Sequence, residues 1–464
     1  MRKGILRIHM SDMKGSQAAV RQLFGTDGIR GCADEYPLDR RTTFAVGFAL
    51  AQWIGTNHLD PEVVIGMDTR ESGPWIAEHV AGGLAQGGVR TRFAGLITTP
   101  GLAYEARTGP FAAGLMISAS HNPYQDNGLK LFDHSGFKLP DAQEAILEGF
   151  LFEWLKTNQP PAPILLQVDE GLDQAYIDYL VSTLPGDLSG TRVVMDTANG
   201  AATHLGPALF QRLGAHVDAI HNSPDGRNIN LDCGSQHLES LRARVLETGA
   251  DLGVAFDGDA DRAMFVSRQG KIVDGDAVLL IAGTWLKQQR GLDVVVSTVM
   301  SNLGLQEALK RQGIGMVRTA VGDKYVLEEM IKRNAPLGGE QSGHVIFRDY
   351  ATTGDGLLTA LRLCQIIRDS GRDLDDLTND LEIYPQLLVN IRIKERRPLD
   401  QLSTVKEQIR LAEAEFGESG RVFVRFSGTE PLARVMVEGR ELPRVEHWAH
   451  RIADAIRADL GALL

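Results

Sequence analysis

Three aspartates spaced two residues apart suggest a metal site. The stretch FDGDADR places Asp257, Asp259 and Asp261 directly after an apolar segment. Carboxylates this close repel one another unless a cation neutralises them, and ligand sets made only of oxygen favour Mg²⁺ or Ca²⁺. An EF-hand is excluded because its glycine and glutamate positions hold Arg262 and Arg268. The next arginine also suggests a bound phosphate, whereas the alternative is a solvated acidic turn.

A second stretch, GLMISASHNPYQDNGLKLF, passes from an apolar run into polar, turn-forming residues. A serine at the end of a strand, here Ser120, with Lys130 nearby suits phosphoryl transfer. Lys130 is the candidate general acid or base, and His121 is assigned to the catalytic group as a residue that orients the loop. The alternatives are a helix cap at Ser120 and a simple turn at Asn122 and Pro123.

The segment RFSGTEPLAR has the composition of a phosphate-binding loop. Ser427, Gly428 and Thr429 form a small hydroxyl-rich turn between Arg425 and Arg434. Backbone N–H groups in such a turn bind anions, and arginine grips phosphate through two hydrogen bonds. A polar hairpin turn is the alternative interpretation.

Two glycine-rich loops could complete a ligand site. In GGEQSGH, Glu340 and Ser342 are candidates for binding sugar hydroxyls, and FGTDGIRG presents Arg30. Each loop alone is explained equally well by a tight turn. Together with the metal, serine and phosphate loops, they predict a phosphorylated ligand held in a cleft between domains.

Composition excludes several classes of protein. The chain has 464 residues, 43% hydrophobic and 23% charged, with a net charge of −12. This charge argues against nucleic acid or an anionic membrane as the main partner. The three cysteines, Cys32, Cys233 and Cys364, show no CxxC spacing, which disfavours a disulfide framework or zinc site and is typical of a reducing cytoplasm. No apolar run reaches the roughly 20 residues that span a bilayer, so we expect a cytoplasmic protein.

Short apolar strands alternate with amphipathic helices along the chain, which predicts largely parallel sheets covered by helices. Ligands of such sheets bind beyond the carboxyl ends of strands, where Asp68, Ser120, Asn199 and Asp257 fall. The expected fold is α/β: three tandem mixed or parallel α/β domains plus a smaller C-terminal α+β domain around a central cleft. The predicted segments are an N-terminal extension (1–22), the serine-loop domain (23–164), the metal-loop domain (165–268), the sugar-loop domain (269–384) and the phosphate-loop domain (385–464).

The order ISASHNP, DGDADR, GEQSGH and RFSGTEP resembles the α-D-phosphohexomutases from Phe24 to the end of the chain. Further segments, including FGTDGIRG, PDGRNINLDCGS and EPLARVMVEG, resemble the branch of that family that acts on glucosamine phosphate. The resemblance implies interconversion of glucosamine 6-phosphate and glucosamine 1-phosphate for UDP-N-acetylglucosamine and cell-wall synthesis. It also implies glucosamine 1,6-bisphosphate as intermediate and activator.

The resemblance assigns roles residue by residue. It implies that Ser120 is a phosphoserine whose phosphorylation activates the chain, and that one Mg²⁺ is bound by Ser120 and the three aspartates. A small-molecule sugar phosphate is the implied partner, and the family pattern allows a homodimer. The remaining implied roles are proton transfer for Lys130, contacts to the transferring group for Arg30 and Arg262, sugar binding for Glu340 and Ser342, and phosphate binding for Arg425, Ser427, Gly428 and Thr429.

Two positions depart from the family pattern: Lys324 and Phe426 stand where arginine and proline are usual. The first departure affects an expected phosphate contact. Three rival functions stay open from the residues alone: a mutase for glucose or mannose phosphates, a phosphatase, and a non-catalytic sugar-phosphate sensor. The motifs do not distinguish an amine from a hydroxyl at C2 of the sugar.

Overall fold

The computed structural model describes residues 22–25, 27–395, 397–426 and 432–461. Three mixed sheets of five, five and four strands follow one another, and a three-stranded antiparallel sheet ends the series. This order confirms the predicted fold class of three α/β domains and a smaller α+β domain. No helix in the described residues is long and apolar enough to cross a bilayer.

The first domain has the strand order β1-β5-β4-β2-β3, with β2 parallel to its two neighbours. β4 is buried along its whole length, since helices cover both faces of the sheet. β5 returns antiparallel to β4 and pairs Lys130 with Met116. The elements are β1 (Ile29–Cys32), α1 (Arg40–Thr56), β2 (Glu62–Met67), α2 (Gly73–Gln86), β3 (Arg90–Leu96), α3 (Thr99–Thr108), β4 (Ala113–Ile117), β5 (Asp126–Asp133) and α4 (Asp141–Leu155).

The second domain has the strand order β10-β9-β8-β6-β7, with parallel pairs β6–β7 and β6–β8. The short strand β10 pairs with β9, so the predicted boundary between residues 268 and 269 falls inside this hairpin. The elements are α5 (Gly171–Thr183), β6 (Arg192–Asp196), α6 (Ala202–Arg212), β7 (His216–Ile220), α7 (Glu239–Thr248), β8 (Leu252–Phe256), β9 (Ala263–Ser267) and β10 (Ile272–Val273).

The third domain has the strand order β12-β11-β13-β14, in which only the last pair is antiparallel. Aspartate side chains cap the first turns of its two long helices: Asp274 accepts from Ala277 and Asp355 accepts from Leu358. The elements are α8 (Gly275–Arg290), β11 (Val294–Thr298), α9 (Leu303–Arg311), β12 (Gly315–Thr319), α10 (Asp323–Arg333), β13 (Leu337–Gly339), β14 (Val345–Phe347), α11 (Gly356–Ser370) and α12 (Leu374–Leu377).

The fourth domain packs two helices against an antiparallel sheet and has its own apolar core, whereas one continuous core links the first three domains. Its described contacts with the third domain include polar ones: Arg421 donates to the carbonyls of Val299 and Ser301, and buried Glu438 accepts from the Leu303 amide. The elements are β15 (Gln386–Arg392), α13 (Ser403–Phe416), β16 (Gly420–Phe426), β17 (Leu432–Gly439) and α14 (Leu442–Leu460).

Close packing of α1 against α2 depends on glycine. A Cβ added at Gly47 would collide with the carbonyl oxygen of Val80 in α2, whereas a Cβ at Gly55, on the same helix, meets no atom within 4 Å. Alanine substitutions at Gly47 and Gly55 therefore distinguish the effect of helix packing on stability from the effect of intrinsic helix propensity.

We predict that Gly47→Ala destabilises the protein by roughly 1–3 kcal/mol through overpacking. Gly55→Ala should stabilise it by about 0.5–1 kcal/mol, because alanine loses less backbone entropy in a helix. Scanning calorimetry on the full chain measures both changes as shifts in melting temperature. Equal melting temperatures for the two variants would contradict the assigned contact.

Candidate active site

Ser120 lies just beyond the carboxyl end of β4, in a left-handed backbone conformation with φ of 55°. This conformation is uncommon for residues other than glycine, and hydrogen bonds hold it. The Ser120 amide donates to Ser118 Oγ at 2.9 Å, and its carbonyl accepts from Arg70 and from Asn230, also at 2.9 Å. Arg70 is 1% exposed and is paired with Asp68 at 2.9 Å. The serine is therefore buried in a turn fixed by both of the first two domains.

The three aspartates of the metal loop follow β8 and lie against this turn. Asp257, Asp259 and Asp261 are buried, and their carboxylate oxygens lie within 4.8 Å of one another. Ser120 Oγ donates to Asp257 Oδ2 at 2.5 Å. A Cβ at Gly258 would lie 2.5 Å from the Ser120 carbonyl oxygen, so only glycine fits there without displacement. The predicted serine and metal loops thus meet at the carboxyl ends of two strands in different sheets.

Lys130 supplies part of the positive charge that these carboxylates need. Its Nζ lies 2.7 Å from Asp259 Oδ2 and 3.3 Å from both Asp261 Oδ2 and Asp27 Oδ2. Burial lowers the pKa of Lys130, but the three carboxylates outweigh that effect and hold the pKa well above its usual value. Lys130 is therefore an ammonium group in this structure.

The carboxylate cluster fits a hard divalent cation. Burial, together with the charges of Asp261 and Asp259, raises the pKa of Asp257 to about 8. One oxygen each of Asp259 and Asp261 is buried with no close hydrogen-bond partner, and the nearest basic nitrogen to the Asp261 oxygen is His344 Nδ1, at 3.5 Å. Carboxylate oxygens are the ligands that Mg²⁺ prefers. A cation at this point would relieve both the repulsion and the missing hydrogen bonds.

A second group with metal-ligand chemistry, Asp196, His221 and Cys233, is bonded internally instead. One Asp196 oxygen contacts His221 Nδ1 at 2.9 Å and accepts from the Gly234 amide, and the other accepts from the Ala198 amide. Burial, with nearby carboxylates, raises the pKa of the Cys233 thiol to about 12. The Asp196 carboxylate therefore links three loop segments through hydrogen bonds.

Nitrogen groups surround the serine. His121 Nδ1 lies 3.3 Å from Ser120 Oγ, the Arg262 amide donates to Asp257 at 3.2 Å, and Arg30 donates to the Ala119 carbonyl at 3.4 Å. Burial, followed by the charges of Arg262 and Arg30, lowers the pKa of His121 to about 4. The imidazole is therefore neutral at pH 7, and positive charge near the serine comes from the arginines.

A cavity of about 380 Å³ opens beside this cluster. Arg30, Arg262 and Glu340 line it, as the sequence predicts for residues that contact a ligand. Glu340 Oε1 accepts from the Gly322 amide at 3.0 Å. Ser342 is exposed on the same loop as Glu340.

Four further charged residues line the cavity and were missed by the sequence analysis: Asp27, Lys138, Asp323 and His344. Lys138 pairs with Asp27 of the first domain and Asp323 of the third. His344 Nδ1 lies 3.5 Å from Asp261. Asp27 and His344 belong to two of the quoted motifs, FGTDGIRG and GEQSGH, and could have been found there. Asp323 precedes Lys324 in the segment VGDKYVLEEM, which also resembles the family, and could have been found there, whereas Lys138 carried no comparable signal.

Lys324, one of the two departures from the family pattern, lies at the same domain contact. Its Nζ pairs with Asp141 and donates to the Leu139 carbonyl at 3.4 Å. The side chain therefore joins the third domain to the first.

The phosphate loop is described only at its edges. Arg425 on β16 pairs across the sheet with Arg434 on β17. Burial and the charge of Arg434 lower the pKa of Arg425. The predicted phosphate-binding residues Ser427, Gly428 and Thr429 lie outside the described residues.

The chain matches all four domain families of phosphoglucomutase/phosphomannomutase. The alpha/beta/alpha domains I, II and III match residues 21–157, 174–270 and 274–384, and the C-terminal domain matches residues 388–455. The matches follow the order of the four sheets in the structure.

Two curated relatives match over nearly their full length. Phosphoglucosamine mutase of Solibacter usitatus is 58% identical over 95% of this chain and 99% of its own, and that of Koribacter versatilis is 48% identical over 95% and 98%.

Solved structures share the fold at lower identity. A phosphoglucomutase/phosphomannomutase family protein from Burkholderia thailandensis is 23% identical with a TM-score of 0.78, covering 94% of this chain and 97% of its own. N-acetylphosphoglucosamine mutase of Aspergillus fumigatus, solved with GlcNAc-6P and magnesium, is 18% identical with a TM-score of 0.65, covering 94% and 96%. Given these matches across all four domains, the chain belongs to the phosphoglucomutase/phosphomannomutase family, the α-D-phosphohexomutases that its motifs resemble.

Proposed function

We propose that this chain is a phosphoglucosamine mutase, which interconverts glucosamine 6-phosphate and glucosamine 1-phosphate through a phosphorylated Ser120. The observation that carries the proposal is the hydrogen bond from Ser120 Oγ to Asp257, within a carboxylate cluster that Lys130 only partly neutralises. The names of the relatives that are 58% and 48% identical support the choice of sugar.

The proposed reaction moves one phosphoryl group from the enzyme to the sugar. The bond between phosphorus and Ser120 Oγ breaks, and a bond from phosphorus to a sugar hydroxyl oxygen forms. Lys130, which is an ammonium group before the reaction, is proposed to give a proton to Ser120 Oγ and to take the sugar hydroxyl proton in its place. Because the substrate already carries one phosphate, this transfer gives glucosamine 1,6-bisphosphate. The bisphosphate also serves as an activator, since it can phosphorylate an unphosphorylated Ser120.

Charge stabilisation falls to the residues around the serine. Arg30 and Arg262 lie beside the transferring group and bind its oxygens. Ser120, as its phosphate ester, and the three aspartates would hold one Mg²⁺. When bound, this ion would neutralise phosphoryl charge. His121 is neutral and orients the loop.

The rest of the ligand extends away from the serine. Glu340 and Ser342 are proposed to bind sugar hydroxyls in both orientations of the bisphosphate. Arg425, Ser427, Gly428 and Thr429 are proposed to hold the phosphate that is not reacting. Return of that second phosphate to Ser120, after the intermediate turns round, completes the cycle.

The choice of sugar is tested first. We expect the Ser120-phosphorylated enzyme with Mg²⁺ to show kcat/KM roughly a hundredfold higher for glucosamine 1-phosphate than for glucose or mannose 1-phosphate, a difference of about 2.7 kcal/mol in the transition state. Equal or higher kcat/KM for glucose or mannose 1-phosphate would identify the protein as a phosphomannomutase or phosphoglucomutase instead. Steady release of inorganic phosphate would make it a phosphatase.

We predict that Ser120→Ala lowers kcat by at least about 10⁴-fold, because the covalent carrier of the phosphoryl group is lost. The control is Ser182→Ala, an exposed serine on α5. Coupled assays and intact-protein mass spectrometry measure turnover and phosphorylation. Substantial turnover by the alanine variant would contradict the phosphoserine mechanism.

We predict that Asp257→Asn weakens Mg²⁺ binding at least about tenfold, equivalent to about 1.4 kcal/mol. The variant replaces one of the three carboxylate ligands by an amide and keeps the side-chain shape. Asp232→Asn, on an exposed left-handed residue of the same domain, is the control, since asparagine favours that conformation. Calorimetric titration of the full chain with Mg²⁺ measures both, and equal affinities would refute the metal assignment.

A further inference from the structure

A second large cavity, of about 410 Å³, lies away from the candidate active site. It is formed by the last turns of α8, the end of β14, the second half of α11 and Pro185 of the second domain. The first residue of α8, Gly275, contacts the sugar loop through the Gln341 carbonyl at 3.0 Å. Because α8 has 16 residues and a helix rises about 1.5 Å per residue, its two ends are about 24 Å apart. The two cavities share no lining residue.

Arg362 of α11 gives this cavity its charge. The side chain is 3% exposed, stacks 3.9 Å from the centre of the Tyr350 ring and donates to Gln365 Oε1 at 2.7 Å and the Thr183 carbonyl at 2.9 Å. No carboxylate in the described residues forms an ion pair with it. Its Nε is buried without a hydrogen-bond partner, and so is Trp285 Nε1. Two unused donors therefore belong to residues lining the same cavity.

The other two arginines of the cavity are already neutralised. Arg290 pairs with Asp349, and Arg368 pairs with Asp369 at 3.0 Å. The lining therefore carries one excess positive charge, that of Arg362. Burying an unpaired charge is costly, and a single anion would offset that cost.

The walls and size of the cavity limit what that anion can be. Trp285, Phe347 and Tyr350 give it aromatic walls, and Leu286 adds an aliphatic one. Its volume is in the range of about 300–1,000 Å³ that is typical of small-molecule sites. Because one charge is uncompensated, a monoanionic carboxylate matches it better than a dianionic phosphate ester.

We propose that this cavity is a second ligand site, which takes a small carboxylate carried on a flat aromatic body. The carboxylate pairs with Arg362, and the ring lies among the aromatic side chains. Two neutral acceptors, Gln365 Oε1 and the Thr183 carbonyl, fix the orientation of the Arg362 guanidinium without neutralising its charge. The site is independent of the mutase function proposed above.

The test uses 2-naphthoate as the probe and the full chain in titration calorimetry. We expect 2-naphthoate to bind at least tenfold more tightly than neutral 2-naphthalenemethanol and acetate to show no measurable binding. Saturating glucosamine 1-phosphate should leave the affinity unchanged. Equal binding of the neutral analogue, displacement by the sugar phosphate, or no binding at millimolar concentration would each overturn the proposal.

Two variants locate the probe. Arg362→Gln should weaken 2-naphthoate binding at least tenfold, while Arg242→Gln, an exposed arginine on α7, should leave it unchanged. Gln289→Trp fills the exposed rim of the cavity without altering the core, and it should weaken binding even if the first variant does not fold. Unchanged binding in Gln289→Trp, or in a folded Arg362→Gln variant, would overturn the proposal.

Discussion

The active site depends on the repulsion among three carboxylates that are buried around one lysine. Asp257, Asp259 and Asp261 are each less than 5% exposed, and Lys130 contacts two of them. Burial at this level is tolerated only when charges are compensated. The pKa of Asp257 is raised to about 8 because the site is buried and the nearby positive charges do not fully compensate the three carboxylates. Protonation, a cation or an incoming cationic ligand would each remove this imbalance, and a metal cation would also coordinate the unpartnered carboxylate oxygens.

This charge cluster explains why the first two domains are so closely joined. Arg70 of the first domain and Asn230 of the second both donate to the Ser120 carbonyl, and Gly258 lies against the same oxygen. These contacts fix the serine relative to the aspartates to within a hydrogen-bond length. Such accuracy is what phosphoryl transfer requires, because its catalysis comes mainly from positioning and electrostatics.

Local sequence patterns predicted the α/β fold and marked Ser120 and the aspartates, because these side chains directly follow apolar strands, and they marked Lys130 because it comes ten residues after Ser120. Sequence could not predict the partners of Lys138, because Asp27 and Asp323 are 111 and 185 residues away from it. The same holds for Lys324, whose pairing with Asp141 arises only when the third domain meets the first. Arg362 lies in the part of α11 that is buried on all sides, and its lack of a carboxylate partner is visible only in three dimensions.

The separate core of the fourth domain has a consequence for how the proposed bisphosphate intermediate could turn round. The first three domains share one apolar core, so opening the cleft between them would expose buried hydrophobic surface. Most buried apolar residues of the fourth domain pack in its own core, and Arg421 and Glu438 attach it to the third domain through hydrogen bonds. Rotation about the connection near residue 385 would therefore expose less apolar surface than separating the first three domains. Such a rotation would move Arg425 relative to Ser120 while the carboxylate cluster stays intact.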